Sequence, residues 1–96
     1  MIIGYRVVHA GFGFASDAAP EKELERLFGK VSAEWRRYDR HCWLLYTNRS
    51  LESLTDSIRE TAVNGAQGQF LLCEMQAGSY SGSLGDEVWV WLQQFN

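Results

Sequence analysis

The chain has little of what most directly reveals a protein's function. Its 96 residues include one proline and two cysteines, and its nine basic residues are outnumbered by twelve acidic ones. A net charge of −3 argues against broad, charge-driven binding to nucleic acid, which needs a basic face. Two isolated cysteines, Cys42 and Cys73, make neither a disulfide framework nor a structural zinc site.

Long apolar runs are also lacking. No run approaches the roughly 20 residues that span a bilayer, and residues 1–6 become polar too soon for a signal peptide. We therefore expect a cytoplasmic protein that does not act at a membrane. Residues 11–17 are glycine-rich but lack the third glycine of a dinucleotide fingerprint, so we expect no cofactor.

Apolar residues, by contrast, are plentiful. They make up 46% of the chain and include four tryptophans, which is enough to fill a core. A chain of this length forms one domain, residues 1–96. Small domains bury a modest fraction of their surface, so dimerisation would add useful burial.

Six segments predict the order strand, helix, strand, strand, helix, strand. Pro20 suits the start of the first helix and Gly29 its end, while Ser50 is a good cap for the second. This order is typical of a ferredoxin-like βαββαβ two-layer sandwich of the α+β class. The predicted strands are residues 2–9, 31–37, 42–47 and 69–75, and the helices begin at residues 20 and 51.

The tail, residues 87–95, has two interpretations. Alternating valines and tryptophans favour a fifth strand, which would need cover on both faces. Exchange of that strand with a second subunit would supply the cover, with Trp89, Trp91 and Phe95 as dimer contacts. A short helix is the alternative, and it would instead align Val88, Trp91, Leu92 and Phe95.

Residues 38–75 resemble the small SinR-like proteins, which are relatives of the CRISPR-associated adaptation nuclease family. The resemblance lies in the tryptophan-bearing strand 42–47, in Ser50 with Leu54 and Ile58 on a helix, and in the apolar strand 69–75 with its acid near the end. It implies a two-layer fold, a symmetric dimer joined through sheets and a C-terminal strand that crosses to the partner.

The same resemblance implies where a catalytic acid should lie. In nuclease members, an aspartate near the end of the first strand binds a divalent metal. This chain has Val7, Val8, His9 and Ala10 there, and none of them is an acid. We therefore expect no metal and no catalytic residue. For an enzyme, the remaining candidates would be His9, Asp17 and Glu74.

Exposed aromatic and basic residues are the candidates for binding. Residues 36–41 carry three arginines and a tyrosine, and they form a solvated hairpin tip, an anchor for an acidic protein or a grip on phosphates and a base. Phe12 and Phe14 either pack back on the domain or meet a partner. The candidate binding residues are Phe12, Phe14, Arg36, Arg37, Tyr38, Arg40 and Tyr80.

These observations predict a small, non-catalytic, homodimeric protein that acts through protein–protein contacts. One concrete version is a phage or prophage inhibitor of a bacterial CRISPR defence complex. Nucleic acid is the alternative binding partner. The alternative function is that of a metal-dependent endonuclease or toxin related to the CRISPR-associated adaptation nucleases.

Overall fold

A computed structural model describes residues 4–13, 21–62, 69–76 and 81–95. These residues form four strands and three helices, which confirms the predicted α+β class. In chain order the elements are β1 (Arg6–Gly13), α1 (Glu21–Val31), β2 (Glu34–Asp39), β3 (Cys42–Thr47), α2 (Leu51–Ala62), β4 (Gln69–Met75) and α3 (Asp86–Gln93).

The four strands form one sheet in the order β2-β3-β1-β4. Every neighbouring pair is antiparallel, and His9 of β1 lies between Leu44 of β3 and Cys73 of β4. Strands β3 and β4 have the bounds that the sequence predicted. The arrangement is compatible with a small two-layer sandwich, with α3 added on the second face.

Helices α1 and α2 cover one face of the sheet. Leu24 and Phe28 of α1 recur at helical spacing and are fully buried, as are Leu54 and Ile58 of α2. They pack on alternate residues of the central strands. Each of these four helix side chains contributes about 1.5–3 kcal/mol by leaving water. The strand residues of this cluster are Val8, Ala10, Phe12, Trp43 and Leu45.

Two hydroxyl groups fix the ends of these elements. The N–H of Ser53 donates to Ser50 Oγ at 3.1 Å, which confirms the predicted cap of α2. The buried Thr47 Oγ1 donates to the Val31 carbonyl at 2.6 Å and accepts from the Arg49 N–H at 3.1 Å. Thr47 thereby joins the end of β3 to the end of α1.

The tail forms the helix α3 over Asp86–Gln93, so the predicted fifth strand is wrong. The helical alternative aligned the correct residues, since Val88, Trp91 and Leu92 are buried against Val7 and Leu44 on the second face of the sheet. The physical reason is coverage: one helical stripe buries all three side chains, whereas an alternating strand would direct them to opposite sides.

The predicted exchange required a strand, and this segment is instead a helix that packs on the sheet of its own chain. The homodimer itself stays a prediction. Trp91 is 2% exposed within its own chain, where its ring meets Phe95 edge-on at 4.9 Å between centroids. Phe95 stacks on Tyr46 of β3 at 3.9 Å. Trp89 is partly buried against the same cluster. The three tail aromatics cover their own sheet.

Two glycines predicted to break elements lie inside them instead. Strand β1 continues through Gly11 to Gly13, where a loop was expected. A Cβ at Gly11 would lie 3.1 Å from Cε1 of the His9 ring, a tight contact that the ring would have to relieve by moving a few tenths of an ångström. Gly29 lies within α1, which ends two residues later at the buried Val31. Strand β2 begins at Glu34, later than predicted.

None of the three described helices is long and apolar enough to cross a membrane.

Candidate binding site

A cavity lies where α3 and the residues before it meet the sheet. Its volume is about 160 Å³. The sheet supplies the floor, and α3 with residues 81–84 supplies the wall. The lining residues are His9, Tyr38, Leu44, Met75, Ser81, Gly82, Leu84, Trp89 and Leu92.

Two polar side chains, His9 and Tyr38, meet at this cavity. The Nε2 atom of His9 shares a hydrogen bond with the Tyr38 hydroxyl, and the two ring centroids are 5.6 Å apart. Burial lowers the pKa of His9 below its ordinary 6.5. Burial, assisted by a hydrogen bond with Cys42, raises the pKa of Tyr38 to about 12. Both side chains are therefore uncharged at neutral pH.

The pairing leaves the cavity with an apolar character. Each polar group already has a partner in the other, so neither needs a charged ligand to satisfy it. Leucine, methionine and tryptophan side chains provide most of the remaining lining. The chemistry of the cavity therefore suits an uncharged, apolar group.

Its size selects among apolar ligands. An apolar cavity of about 150 Å³ holds a molecule the size of benzene, whereas small-molecule and cofactor pockets are typically about 300–1,000 Å³. At about 160 Å³, this cavity accommodates one leucine-sized or phenyl-sized group. A group of this size matches a single leucine or phenylalanine side chain.

Beside the cavity, part of the sheet is open. Leu71 and Cys73 of β4 share the face of His9, because Leu71 pairs with Gly11 and Cys73 pairs with His9. Leu71 is 71% exposed, and Cys73 is exposed as well. On the outer side of α3, Val90 is 61% exposed. The cavity thus opens beside an apolar shelf formed by Leu71 and Cys73.

The basic segment predicted to bind does not converge on one surface. A register shift between Arg37 and Asp39 interrupts the pairing of β2. Arg37 lies over the Trp43 ring at 4.9 Å and pairs with Glu21 of α1 at 3.0 Å, whereas Tyr38 reaches the α3 side. These two candidates therefore lie on opposite faces of the sheet, and a binding role for the whole segment stays a prediction.

The other two arginines of that segment are exposed, Arg36 on the edge strand β2 and Arg40 in the turn that follows it. Arg36 borders a separate hollow of about 320 Å³ that Glu87 and Val88 of α3 also line. The backbone N–H of Arg40 donates to Asp39 Oδ1 at 2.6 Å, within the turn. Neither arginine lines the cavity at His9.

The predicted aromatic candidates have different outcomes. Phe12 is 8% exposed, and its ring stacks on that of Phe70 with 5.6 Å between centroids. Of the two predictions for Phe12, packing back on the domain is confirmed and exposure to a partner is wrong. Its burial follows from β1 continuing through Gly13, which directs Phe12 at the helices. Phe14, Asp17 and Tyr80 lie outside the described residues.

The candidate catalytic residues lie apart. His9 is engaged with Tyr38 on the α3 side, while Glu74 pairs with Val8, so it lies on the opposite face of the sheet, where it forms an ion pair with Arg6 at 2.8 Å. Within residues 4–13, 21–62, 69–76 and 81–95, no three histidine, cysteine or acidic side chains are grouped to hold a metal. Of the two enzyme candidates among the described residues, His9 lines the cavity and Glu74 does not.

Leu84 and Met75 belong to the site but were not predicted from the sequence. The signal for Leu84 was available: Gly85 followed by Asp86 and Glu87 is a typical helix start, and Leu84 directly precedes it. Met75 ends a predicted strand, but its contact with the wall depends on where α3 packs.

Comparison with known proteins supplies no relative. A scan of protein-family models, a search of curated proteins and a search of solved structures each returned no match. The resemblance to SinR-like proteins stays a prediction.

Proposed function

We propose that this chain is a non-catalytic binding protein that acts through protein–protein contacts. It holds one apolar side chain of a partner in the cavity between α3 and the sheet. The observation that carries this proposal is the combination of size and lining: about 160 Å³, largely apolar walls and an uncharged His9–Tyr38 pair.

An anchor of this kind fits the energetics of protein interfaces. A few side chains that fill well-packed pockets provide most of the binding energy, and near-neutral contacts around them exclude water. The exposed Leu71 beside the cavity supplies such a surround. Trp89, in the cavity wall, belongs to a residue type that is enriched at binding hot spots.

We also propose a ferredoxin-like fold and a cytoplasmic location. The chain order of the elements, with β1 between β3 and β4, supports a ferredoxin-like assembly. Two free thiols, one of them the exposed Cys73, suit a reducing compartment and support a cytoplasmic location. The phage or prophage inhibitor of a CRISPR complex stays a prediction.

The alternative of a metal-dependent nuclease gains no support from the described side chains. Its one described carboxylate candidate, Glu74, is 2.8 Å from the Arg6 guanidinium, which already balances its charge. Burial lowers the pKa of His9 beside Tyr38, and no described carboxylate contacts its ring to orient it as a base.

Selection from a random peptide display library tests the proposal. Peptides retained by the wild-type protein should share one leucine or aromatic anchor among otherwise variable residues. Binding of a selected peptide should shift the NMR resonances of the His9 imidazole and the Trp89 indole. Selected peptides that lack a common apolar residue, or that leave both resonances unchanged, would contradict the cavity as the binding site.

A further inference from the structure

The two edges of the sheet differ in how they are protected. Strand β2 carries Glu34, Arg36, Arg37 and Asp39 within six residues, and a register shift disturbs its pairing. Charged side chains and irregular pairing are the usual protection of a sheet edge. This edge is therefore a poor template for another strand.

The opposite edge, β4, has none of that protection in its seven described residues. Its sequence contains one charged residue, Glu74, no proline and no lysine, and its pairing with β1 has no register shift. We infer that the β4 strands of two copies of this chain pair antiparallel, with Leu72 of each copy at the centre. This inference concerns the strand edge and goes beyond the binding cavity.

The direction of the backbone groups determines which residues face the edge. The N–H of Phe12 donates to the His41 carbonyl at 2.9 Å, on the β3 side of β1. The backbone N–H and C=O groups of successive strand residues point to opposite sides. Those of His9 and Gly11 therefore point at β4, where they meet the backbone groups of Cys73 and Leu71. The groups that point away from the sheet are those of Phe70, Leu72 and Glu74.

One register satisfies all these outward groups. Outward residues of one copy pair only with outward residues of the other, because a hydrogen-bonded pair requires both to face each other. With Leu72 opposite Leu72, Phe70 lies opposite Glu74 of the second copy, and the full strand is paired. A shift of two residues either way leaves one end unpaired, and centring on Glu74 opposes two negative charges.

The side chains agree with the same register. On the open face, Leu71 would lie opposite Cys73 of the second copy, so the most exposed large apolar residue gains an apolar neighbour. On the helix side, an open groove of about 760 Å³ between α2 and β4 leaves room, and Arg59 lines it beside Phe70. Glu74 of the second copy, opposite Phe70, would lie beside this groove near Arg59, which would add a second positive charge to its ion pair with Arg6.

Such a pairing has a consequence for binding. The two-fold axis of this antiparallel pairing stands perpendicular to the sheet, so the cavities of both copies open on the same side. Their apolar shelves then join into one continuous floor between two α3 walls. A partner with two suitable anchors gains avidity from the dimer that a single copy does not offer.

Light scattering and directed cross-linking test the inference on the full chain. The wild-type protein at micromolar concentration should have twice the chain mass of 11.0 kDa. In a Cys42→Ser background, Leu71→Cys should form a disulfide-linked dimer on non-reducing gels, because opposite residues have Cβ atoms about 4.5–5.5 Å apart. Leu71 is 71% exposed, so this change leaves the core intact.

Two controls determine the register. With Leu71 unchanged, the Cys73 residues of the two copies are diagonal neighbours about 7–8 Å apart, so they should not cross-link. Leu71→Cys combined with Cys73→Ser should also lose the cross-link. A monomer, a cross-link in either control, or a dimer without a cross-link in Leu71→Cys would each overturn the inference. None of these results would alter peptide binding in the cavity, which is measured separately.

Discussion

Replacement of Trp91 by alanine tests whether the tail is a helix packed on its own sheet. Trp91 is 2% exposed, its ring meets Phe95 edge-on at 4.9 Å, and its Nε1 donates to Glu34 Oε1 at 3.3 Å. Removing a buried tryptophan side chain costs about 3–5 kcal/mol. A domain of this length has a total stability of about 5–14 kcal/mol. Trp91→Ala should therefore remove a large fraction of it.

The matched control lies one residue earlier on the same helix. Val90 is 61% exposed, so Val90→Ala should change the free energy of unfolding by less than about 0.5 kcal/mol. Urea unfolding followed by circular dichroism, at one protein concentration, gives both values. For a domain of this size, the Trp91→Ala loss corresponds to a fall in Tm of roughly 12 °C or more.

Equal effects of the two substitutions would refute the reasoning. In an exchanged strand, valines occupy one covered face and tryptophans the other, so Val90→Ala would also destabilise the protein. A loss below about 1 kcal/mol for Trp91→Ala would likewise show that this ring is not buried as described.

Three further substitutions test the polar contacts. Because burial lowers the pKa of His9, the unfolded chain binds a proton more readily below about pH 6.5, so stability should fall as pH drops through that value. His9→Gln should flatten this dependence in pH-dependent urea unfolding, whereas an unchanged slope, or the same flattening in His41→Gln, would contradict it. Thr47→Val removes one buried and one half-buried hydrogen bond and takes away the donor to the Val31 carbonyl, so calorimetry should show a loss of about 1–3 kcal/mol, and a neutral result would contradict its role. Ser50→Ala should cost about 1 kcal/mol in the same measurement, Ser50→Asp should retain most of that stability, and equal losses in both would count against the cap.

Local signals were sufficient for the elements that have one dominant pattern. The bounds of β3 and β4 and the Ser50 cap of α2 were predicted from apolar runs and a single capping side chain. The structure of the tail was not predicted, because its alternating valines and tryptophans fit the two-residue period of a strand as well as the 3.6-residue period of a helix. The choice between them depends on which surface is available, and the face at Val7 and Leu44 accepts one helical stripe.

The candidate site depended on longer-range information. Tyr38 looked like part of a basic turn, but the register shift at β2 separates it from Arg37 and brings it to His9. Gly11 looked like a loop signal, yet it makes room for the His9 ring within a strand. A bulge and a close approach between side-chain positions two residues apart on one strand leave no clear mark in a single sequence, so the cavity became apparent only in the assembled fold.

Filling the cavity tests the proposed function most directly. Gly82 lines it, and a Cβ at Gly82 meets no atom within 4 Å, so the first atom of a new side chain has room there and Gly82→Leu adds apolar bulk at the cavity. Gly4→Leu is the matched control, since a Cβ there also meets nothing and Gly4 does not line the cavity. Calorimetric titration with a selected peptide should show at least a tenfold loss of affinity, about 1.4 kcal/mol, for Gly82→Leu and none for Gly4→Leu. Equal affinities for both variants would contradict binding through this cavity.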